Sequence, residues 1–249
     1  MHDFNNKIVL VTGGGSGIGQ ATAHLFAIHG ATVVVSDINV IAGSQTVSEI
    51  AEACGKAVFI ETDVSKAFEC QQLIAEVLKR YGRLDVAINN AGISGESNSI
   101  SEMTIEGWDH IIAVNLNSVF YCMKYELEQM KKQGKGAIIN MSSILGQVGF
   151  ANAAGYVAAK HGVVGLTKNA ALEYASSGIR INAVGPAFIY TPLLNSLPKE
   201  TKDLLVTLHP AARFGEAKEV AELVLWLASD KASFTNGSYY PVDGGFLAR

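Results

Sequence analysis

Lys7-Ile8-Val9-Leu10-Val11-Thr12, followed at once by Gly13-Gly14-Gly15-Ser16-Gly17-Ile18-Gly19, is the stretch on which the fold turns. The apolar run suits a strand buried on both faces, as in a parallel sheet. Gln20 to His29 then carries apolar residues at helical spacing. Strand, glycine loop and helix N-terminus in that order make a pyrophosphate site. The glycines let the backbone turn sharply and approach phosphates, while first-turn N–H groups and the helix dipole face the anion. The spacing is Gly-x-x-x-Gly-x-Gly, not Gly-x-Gly-x-x-Gly, and the plain alternative is a flexible glycine-rich turn. Gly13, Ser16, Gly17, Ile18 and Gly19 are the candidate contacts.

A second strand over Ala31–Ser36 leads into Asp37, 18 residues after Gly19. A carboxylate at that distance accepts hydrogen bonds from both hydroxyls of an adenosine ribose and repels a 2′-phosphate. No Arg or Lys stands at Ser16, Ile38 or Asn39 to offset the charge. The expected cofactor is therefore NAD rather than NADP; the alternative for Asp37 is an ordinary strand-end turn residue.

Tyr156 and Lys160 lie four residues apart in Tyr-Val-Ala-Ala-Lys, with Ser143 thirteen residues upstream of the tyrosine. If Ala153 to Tyr174 is a helix, the tyrosine and lysine share one face, a turn apart. An ammonium beside a phenol favours the phenolate, whose ordinary pKa is about 10. A tyrosine tuned in this way can give or take a proton as a carbonyl and an alcohol interconvert. Alone, such a pair is more often a plain helix surface. The nucleotide site ahead of it changes that reading.

Buried strand candidates are Lys7–Thr12, Ala31–Ser36, Ala57–Thr62, Leu84–Asn89, Gly136–Ser142, Ile179–Val184 and Tyr239–Val242. Helical stretches separate them: Ile18–His29, Val40–Ala53, Lys66–Tyr81, Thr104–Gln133, Ala153–Ser176 and Lys218–Ser229. The alternation predicts a single-domain α/β fold over residues 1–249, a doubly wound parallel sheet of the Rossmann type with helices on both faces. Right-handed crossovers put Asp37, Asp63, Asn89, Ser143 and Pro186 along one edge, each just after a strand. Ala187 to Gly215 is the longest irregular stretch. It holds three prolines and a short helix near Lys199–Leu208, and reads as a substrate lid.

On these motifs the chain resembles the short-chain dehydrogenase/reductase family over nearly its whole length. Thr12 to Gly19 is similar to the family's TGxxxGxG loop, and Asn89-Asn90-Ala91-Gly92 to its NNAG motif. The resemblance implies adenine contacts at Asp63 and Val64, and further cofactor contacts at Asn89, Ala91, Gly92, Pro186, Ile189 and Thr191. It implies catalytic roles for Asn115, Ser143, Tyr156 and Lys160. Tyr156 would be the acid and base, and Ser143 would hold the substrate oxygen. Lys160 would lower the tyrosine pKa and bind the nicotinamide ribose. Asn115 would bend its helix and hold a water linking Lys160 to solvent. The chain has Pro186-Ala187 where the family usually has Pro-Gly, which predicts a constrained backbone beside the nicotinamide if that position needs positive φ. The family's two-fold four-helix interface would use Thr104–Gln133 and Ala153–Ser176, the second of which is rich in small residues. A second interface would use Tyr239 to Arg249. Together they imply a homotetramer.

Hydrophobic residues make up 49% of the 249 and charged ones 17%, which allows a large core, while a net charge of −4 disfavours a nucleic-acid partner. No leader-like opening or membrane-length apolar run is present. Cys54, Cys70 and Cys122 read as buried or free thiols in a reducing cytoplasm. No histidine or cysteine has a partner at metal-site spacing, so no metal is expected, and His161 reads as a helix-packing residue. Candidate pocket residues are Ser94, Gly95, Ile144, Leu145, Gln147, Phe150, Phe188, Leu193 and Leu194, with Leu145, Phe150 and Phe188 foremost. The set is mainly apolar, with no arginine to clamp a carboxylate or phosphate. It fits a small neutral secondary alcohol or ketone, cyclic or aromatic. Two other readings stand beside that one. The chain also resembles 3-oxoacyl-(acyl-carrier-protein) reductases, although Asp37 disfavours NADPH and Leu172 stands where those enzymes commonly carry an arginine. The other is a nucleotide-binding regulator without catalysis.

Overall fold

In the computed structural model, which describes residues 3–195 and 198–248, β1 (Ile8–Thr12) pairs in parallel with β2 (Thr32–Asp37) and β4 (Val86–Asn89). β3 (Lys56–Glu61) extends the sheet past β2. On the other side follow β5 (Gly136–Met141), β6 (Ile179–Pro186) and β9 (Tyr239–Val242). The seven strands are all parallel, in the order β3-β2-β1-β4-β5-β6-β9. Chain direction across the sheet reverses between β1 and β4, which leaves a crevice over their C-terminal ends.

Strand side chains alternate between two faces, and both are covered. Val9, Val11, Val33, Val35, Ile88 and Ile139 pack with Phe26 of α1 (Gly17–Ile28), Ile50 of α2 (Val40–Glu52) and Val220, Val224 and Leu227 of α9 (Ala217–Ala228). Leu10, Val34, Ala87, Ile138 and Ile181 pack with Leu73 and Val77 of α3 (Ala67–Tyr81), Met123 and Met130 of α5 (Ser118–Gln133) and Val163 of α6 (Ala154–Tyr174). Burying each such side chain contributes about 1.5–3 kcal/mol, so the two layers fix the strand ends that carry the site. Among the described residues no helix is long and apolar enough to cross a membrane.

Three local features differ from the sequence expectation. The helix expected over Thr104–Gln133 is two helices, α4 (Ile105–Ile112) and α5, joined by a π-helical turn at Ala113–Asn117. Its cause is Asn115, which is fully buried and uses its side chain outside the helix, on the backbone of Ile93. Asp37, Asn89 and Pro186 are the last residues of β2, β4 and β6 rather than the first beyond them. The stretch from Ala187 to Gly215 is more regular than its composition suggests. It contains β7 (Ile189–Tyr190), α7 (Pro192–Asn195) and α8 (Lys199–Thr207), and β7 pairs with β8 (Gly215–Glu216).

Candidate active site

The loop after β1 packs on the loop after β4. A Cβ on Gly13, whose φ is +64°, would lie 2.8 Å from the Ala91 Cα, and one on Gly19 would collide with the Gly13 carbonyl oxygen. Asn90 knits the loops together by donating from Nδ2 to the carbonyls of Thr12 and Gly13. The Thr12 hydroxyl oxygen accepts the N–H groups of Asn90 and Ala91. Ser16 caps α1 with no side-chain hydrogen bond, and the first turn holds no acidic residue. An anion therefore meets neither a competing cap nor a like charge there. Asp37 Oδ2 accepts the Gly15 N–H and Oδ1 accepts the Asn39 N–H, both at 2.9 Å. Each oxygen keeps a lone pair free for a ribose hydroxyl. Thr191 also arrives at this loop: its Cγ2 is 3.2 Å from where a Gly17 Cβ would stand. Glycines too crowded for side chains, an open helix N-terminus and a fixed carboxylate together fit a dinucleotide.

Asp63 and Val64 follow β3. The Asp63 carboxylate bonds Ser65 and lies 3.2 Å from the Lys66 ammonium. Burial opposes its charge, but the bonds from Ser65 and Lys66 prevail and hold the carboxyl below its ordinary range. The Asn89 side chain turns away from the crevice. It points to the α5 and α6 side of the sheet, where its Nδ2 donates to Glu126 and Asn140. The alternation of β4 gives the other face to Ile88, so at Asn89 only the backbone is left for the expected cofactor contact.

Ser143 stands just past β5, and Tyr156 and Lys160 stand on α6. Lys160 is only 4% exposed. Its ammonium donates to the Met141 carbonyl at 2.8 Å and lies 5.5 Å from the centre of the Tyr156 ring. Burial lowers its pKa to about 8. The Tyr156 pKa is raised, because burial of the phenol outweighs its hydrogen bond with Ser143. The Lys160 hydrogen bond goes to the Met141 carbonyl, while its ammonium faces the phenol ring. The Asn115 amide accepts from the Ile93 N–H at 2.8 Å and donates to the Ile93 carbonyl at 2.7 Å. It thereby pins the chain after Gly92, and a Gly92 Cβ would lie 3.0 Å from Asn115 Oδ1 and 3.7 Å from Lys160 Nζ.

Beside these groups, Pro186 presents its carbonyl 3.5 Å from the Ser143 hydroxyl. Ala187 is not among the residues at positive φ and donates its N–H to the Val242 carbonyl, so alanine carries no strain where glycine is usual. Ile189 is buried in β7. The Phe150 and Phe188 rings meet edge to face, with centres 6.1 Å apart. Leu145 and Leu194 are buried, whereas Ser94, Gly95 and Gln147 are exposed. Ile144 is core, at 1% exposure. The side chain of Leu193 and the structure of Arg249 lie outside the described residues. His161 is exposed on α6 rather than packed, with Nδ1 on the Val157 carbonyl. Cys70 and Cys122 touch at 3.6 Å inside the protein, while Cys54 is exposed.

The sequence reading missed Tyr239. Its hydroxyl donates to the Ser143 carbonyl at 2.9 Å. A Cβ on Gly185 would collide with that hydroxyl, so the glycine admits it. A glycine inside a strand was the signal available, since it marks a close approach. His209 and Phe246 were also missed; they pack on Phe188 from the turn after α8 and from the C-terminal tail.

A family model described as Enoyl-(Acyl carrier protein) reductase matches residues 13–247. Among curated relatives, cyclohexanol dehydrogenase of Acinetobacter sp. (strain SE19) is 49% identical over 246 residues, covering 99% of this chain and 97% of that one. Cis-4-hydroxycyclohexanecarboxylate dehydrogenase of Sinomonas cyclohexanicum is 42% identical, covering 98% of each. The crystal structure of levodione reductase superimposes with a TM-score of 0.96 at 37% identity, covering 98% of this chain and 99% of that one.

Proposed function

The chain belongs to the short-chain dehydrogenase/reductase family and is an oxidoreductase of CH–OH groups using a nicotinamide cofactor; on that premise we propose an NAD-dependent dehydrogenase of small, neutral, cyclic secondary alcohols. The observation that carries this reading is the convergence of Ser143, Tyr156 and Lys160 at the end of β5, beside the crevice that Asp37 closes at its far side. When bound, the nicotinamide takes or gives the hydride. Gly13, Ser16, Gly17, Ile18 and Gly19 would hold the pyrophosphate. Asp37 would hold the adenosine ribose, and Asp63 and Val64 would border the adenine. Ala91, Gly92, Pro186, Ile189 and Thr191 would line the inner half, with Lys160 on the second ribose.

Tyr156 moves the proton at the reacting oxygen. Its phenolate accepts it during alcohol oxidation, and its phenol returns it during ketone reduction. Ser143 donates to the same oxygen and fixes it near the phenol. Asn115 positions the backbone beside Lys160. Phe150, Phe188 and Leu145 offer the substrate an apolar wall, with residues 187–215 as its lid. Relatives named for cyclohexanol and hydroxycyclohexanecarboxylate support a ring-shaped substrate. The carrier-protein reductase reading is weaker. Leu172, 85% exposed, offers an acidic partner no cation, and Asp37 repels the 2′-phosphate. Turnover of cyclohexanol and cyclohexanone with NAD(H) and NADP(H), followed by absorbance of the reduced nicotinamide, tests the proposal. A protein that binds NADH and turns over no alcohol or ketone would be a regulator instead. The assembly proposed is a homotetramer in the cytoplasm, built on α4–α6 and on the C-terminal strand, and light scattering reads its mass directly.

A further inference from the structure

His209 follows α8 and is 4% exposed. Its Nδ1 lies 3.0 Å from the Leu205 carbonyl oxygen, and its Nε2 accepts the Phe188 backbone N–H at 3.4 Å. A carbonyl only accepts and an N–H only donates. The ring is therefore neutral, with its proton on Nδ1. Three phenyl rings surround it edge to face: Phe188 at 5.6 Å, Phe246 at 5.9 Å and Phe214 at 6.3 Å between centres. They come from three separate stretches, the chain before β7, the C-terminal tail and the residue before β8. The tail is tied to the same place by the Ala211 N–H, which donates to the Gly244 carbonyl at 3.0 Å.

Phe188 sits between strand pairings. Ala187 donates to Val242 of β9, and Ile189 pairs with Gly215 of β8. Between them the Phe188 N–H finds its acceptor in a side chain, and that side chain is His209. Phe188 in turn meets Phe150, on the segment between Ser143 and Tyr156, and Phe246 of the tail. A leucine or phenylalanine at position 209 would fill the space and leave this N–H without its acceptor.

We propose that His209 is a positioning residue for the substrate: it fixes the backbone of Phe188, and through it the Phe150–Phe188 wall, so that a neutral ring meets a preformed apolar face. The proposal rests on the dehydrogenase reading above for its substrate, and on the hydrogen bonds and ring contacts of His209 for its geometry.

His209→Phe keeps an aromatic ring and removes both hydrogen bonds, while His209→Gln returns an acceptor to the Phe188 N–H. In the full-length protein, His209→Phe should speed hydrogen exchange at the Phe188 amide about tenfold or more and raise the cyclohexanol KM about tenfold. Its kcat should stay within about threefold and its NAD affinity should not change, while His209→Gln should stay within about threefold of the parent throughout. If His209→Phe matches the parent in exchange and KM, or if His209→Gln fails as badly as His209→Phe, the proposal is wrong. Nitrogen-15 NMR of labelled histidine in the unsubstituted protein needs no variant to fold. It should show the Nδ1–H tautomer, and an Nε2–H ring would overturn the assignment. A parent protein with no turnover of any cyclic alcohol would count against the proposed function, and exchange and tautomer would still decide the role of His209.

Discussion

The Tyr239 hydroxyl, on the edge strand β9, donates to the backbone carbonyl of Ser143 across 2.9 Å and 96 positions of sequence. Ser143 follows the inner strand β5, and β6 lies between β5 and β9. Gly185 of β6 lets the phenol through. The last strand of the sheet thus helps fix the backbone that carries the serine. Tyr239→Phe removes one partly buried hydrogen bond, of net value about 1 kcal/mol. It should lower kcat/KM about fivefold and leave NAD affinity unchanged. Steady-state kinetics with a nucleotide titration check both, and an unchanged kcat/KM would mean that packing alone places Ser143.

Tyr156→Phe removes the transferable proton and keeps the ring. It should cut kcat about 100-fold or more while NADH still binds, because a general acid or base supplies about 10²–10⁴. In the free protein burial holds the tyrosine above its ordinary pKa. Alcohol oxidation needs the deprotonated phenol, so its kcat/KM should climb with pH on the alkaline side, and the climb should vanish in Tyr156→Phe. A flat profile in the parent would remove Tyr156 from the proton step.

Asp37 should disfavour the 2′-phosphate by about 2–3 kcal/mol, a preference for NAD of roughly 30- to 150-fold. Asp37→Ala should narrow that gap. It should also weaken NAD itself, because the carboxylate that would take the ribose also anchors the Gly15 and Asn39 amides. Equal or better kcat/KM with NADP(H) in the parent would sink the assignment.

Glu126 lies wholly inside the protein and accepts from Asn89 Nδ2 at 3.1 Å. Burial raises its pKa from 4.5 to about 8. Between those values the folded chain keeps a proton that the unfolded chain releases. Stability therefore falls as pH rises through this window, by at most about 1.4 kcal/mol per pH unit. Glu126→Gln should match the parent near pH 5 and exceed it in melting temperature near pH 8. Lys160 does not mask the effect, because its depressed pKa acts between about 8 and 10.5, where stability rises with pH. Equal pH slopes in the two proteins would place the Glu126 proton elsewhere.

The sheet and both halves of the crevice were legible because they rest on local signals. An apolar run of period one, a glycine loop and a carboxylate after the second strand each follow from backbone chemistry. Tyr156, Lys160 and Ser143 were legible through spacing once the nucleotide half was in place. Other features depended on contacts remote in sequence. Asn89 belongs to the nucleotide-loop motif by sequence, yet the pleat of β4 turns it towards Glu126 and Asn140. Lys160 is one helical turn from Tyr156, yet its ammonium goes to the Met141 carbonyl. Tyr239, His209 and Phe246 act across the fold, and no periodicity near them announces a partner.

A π turn holds one residue more than an α turn, and each residue of an α-helix advances it by about 100°. The turn at Ala113–Asn117 therefore resets the rotational phase of everything after it. With that offset, α5 presents Val119, Cys122, Met123, Glu126 and Met130 to the interior. Without it, a straight helix from Ile105 onward would swing this face about a quarter-turn towards solvent and carry Glu126 away from Asn89. Loss of a single residue between Ala113 and Asn117 would close the π turn to an α turn and leave the inward face of α5 where it is, whereas straightening the helix with every residue kept would rotate it.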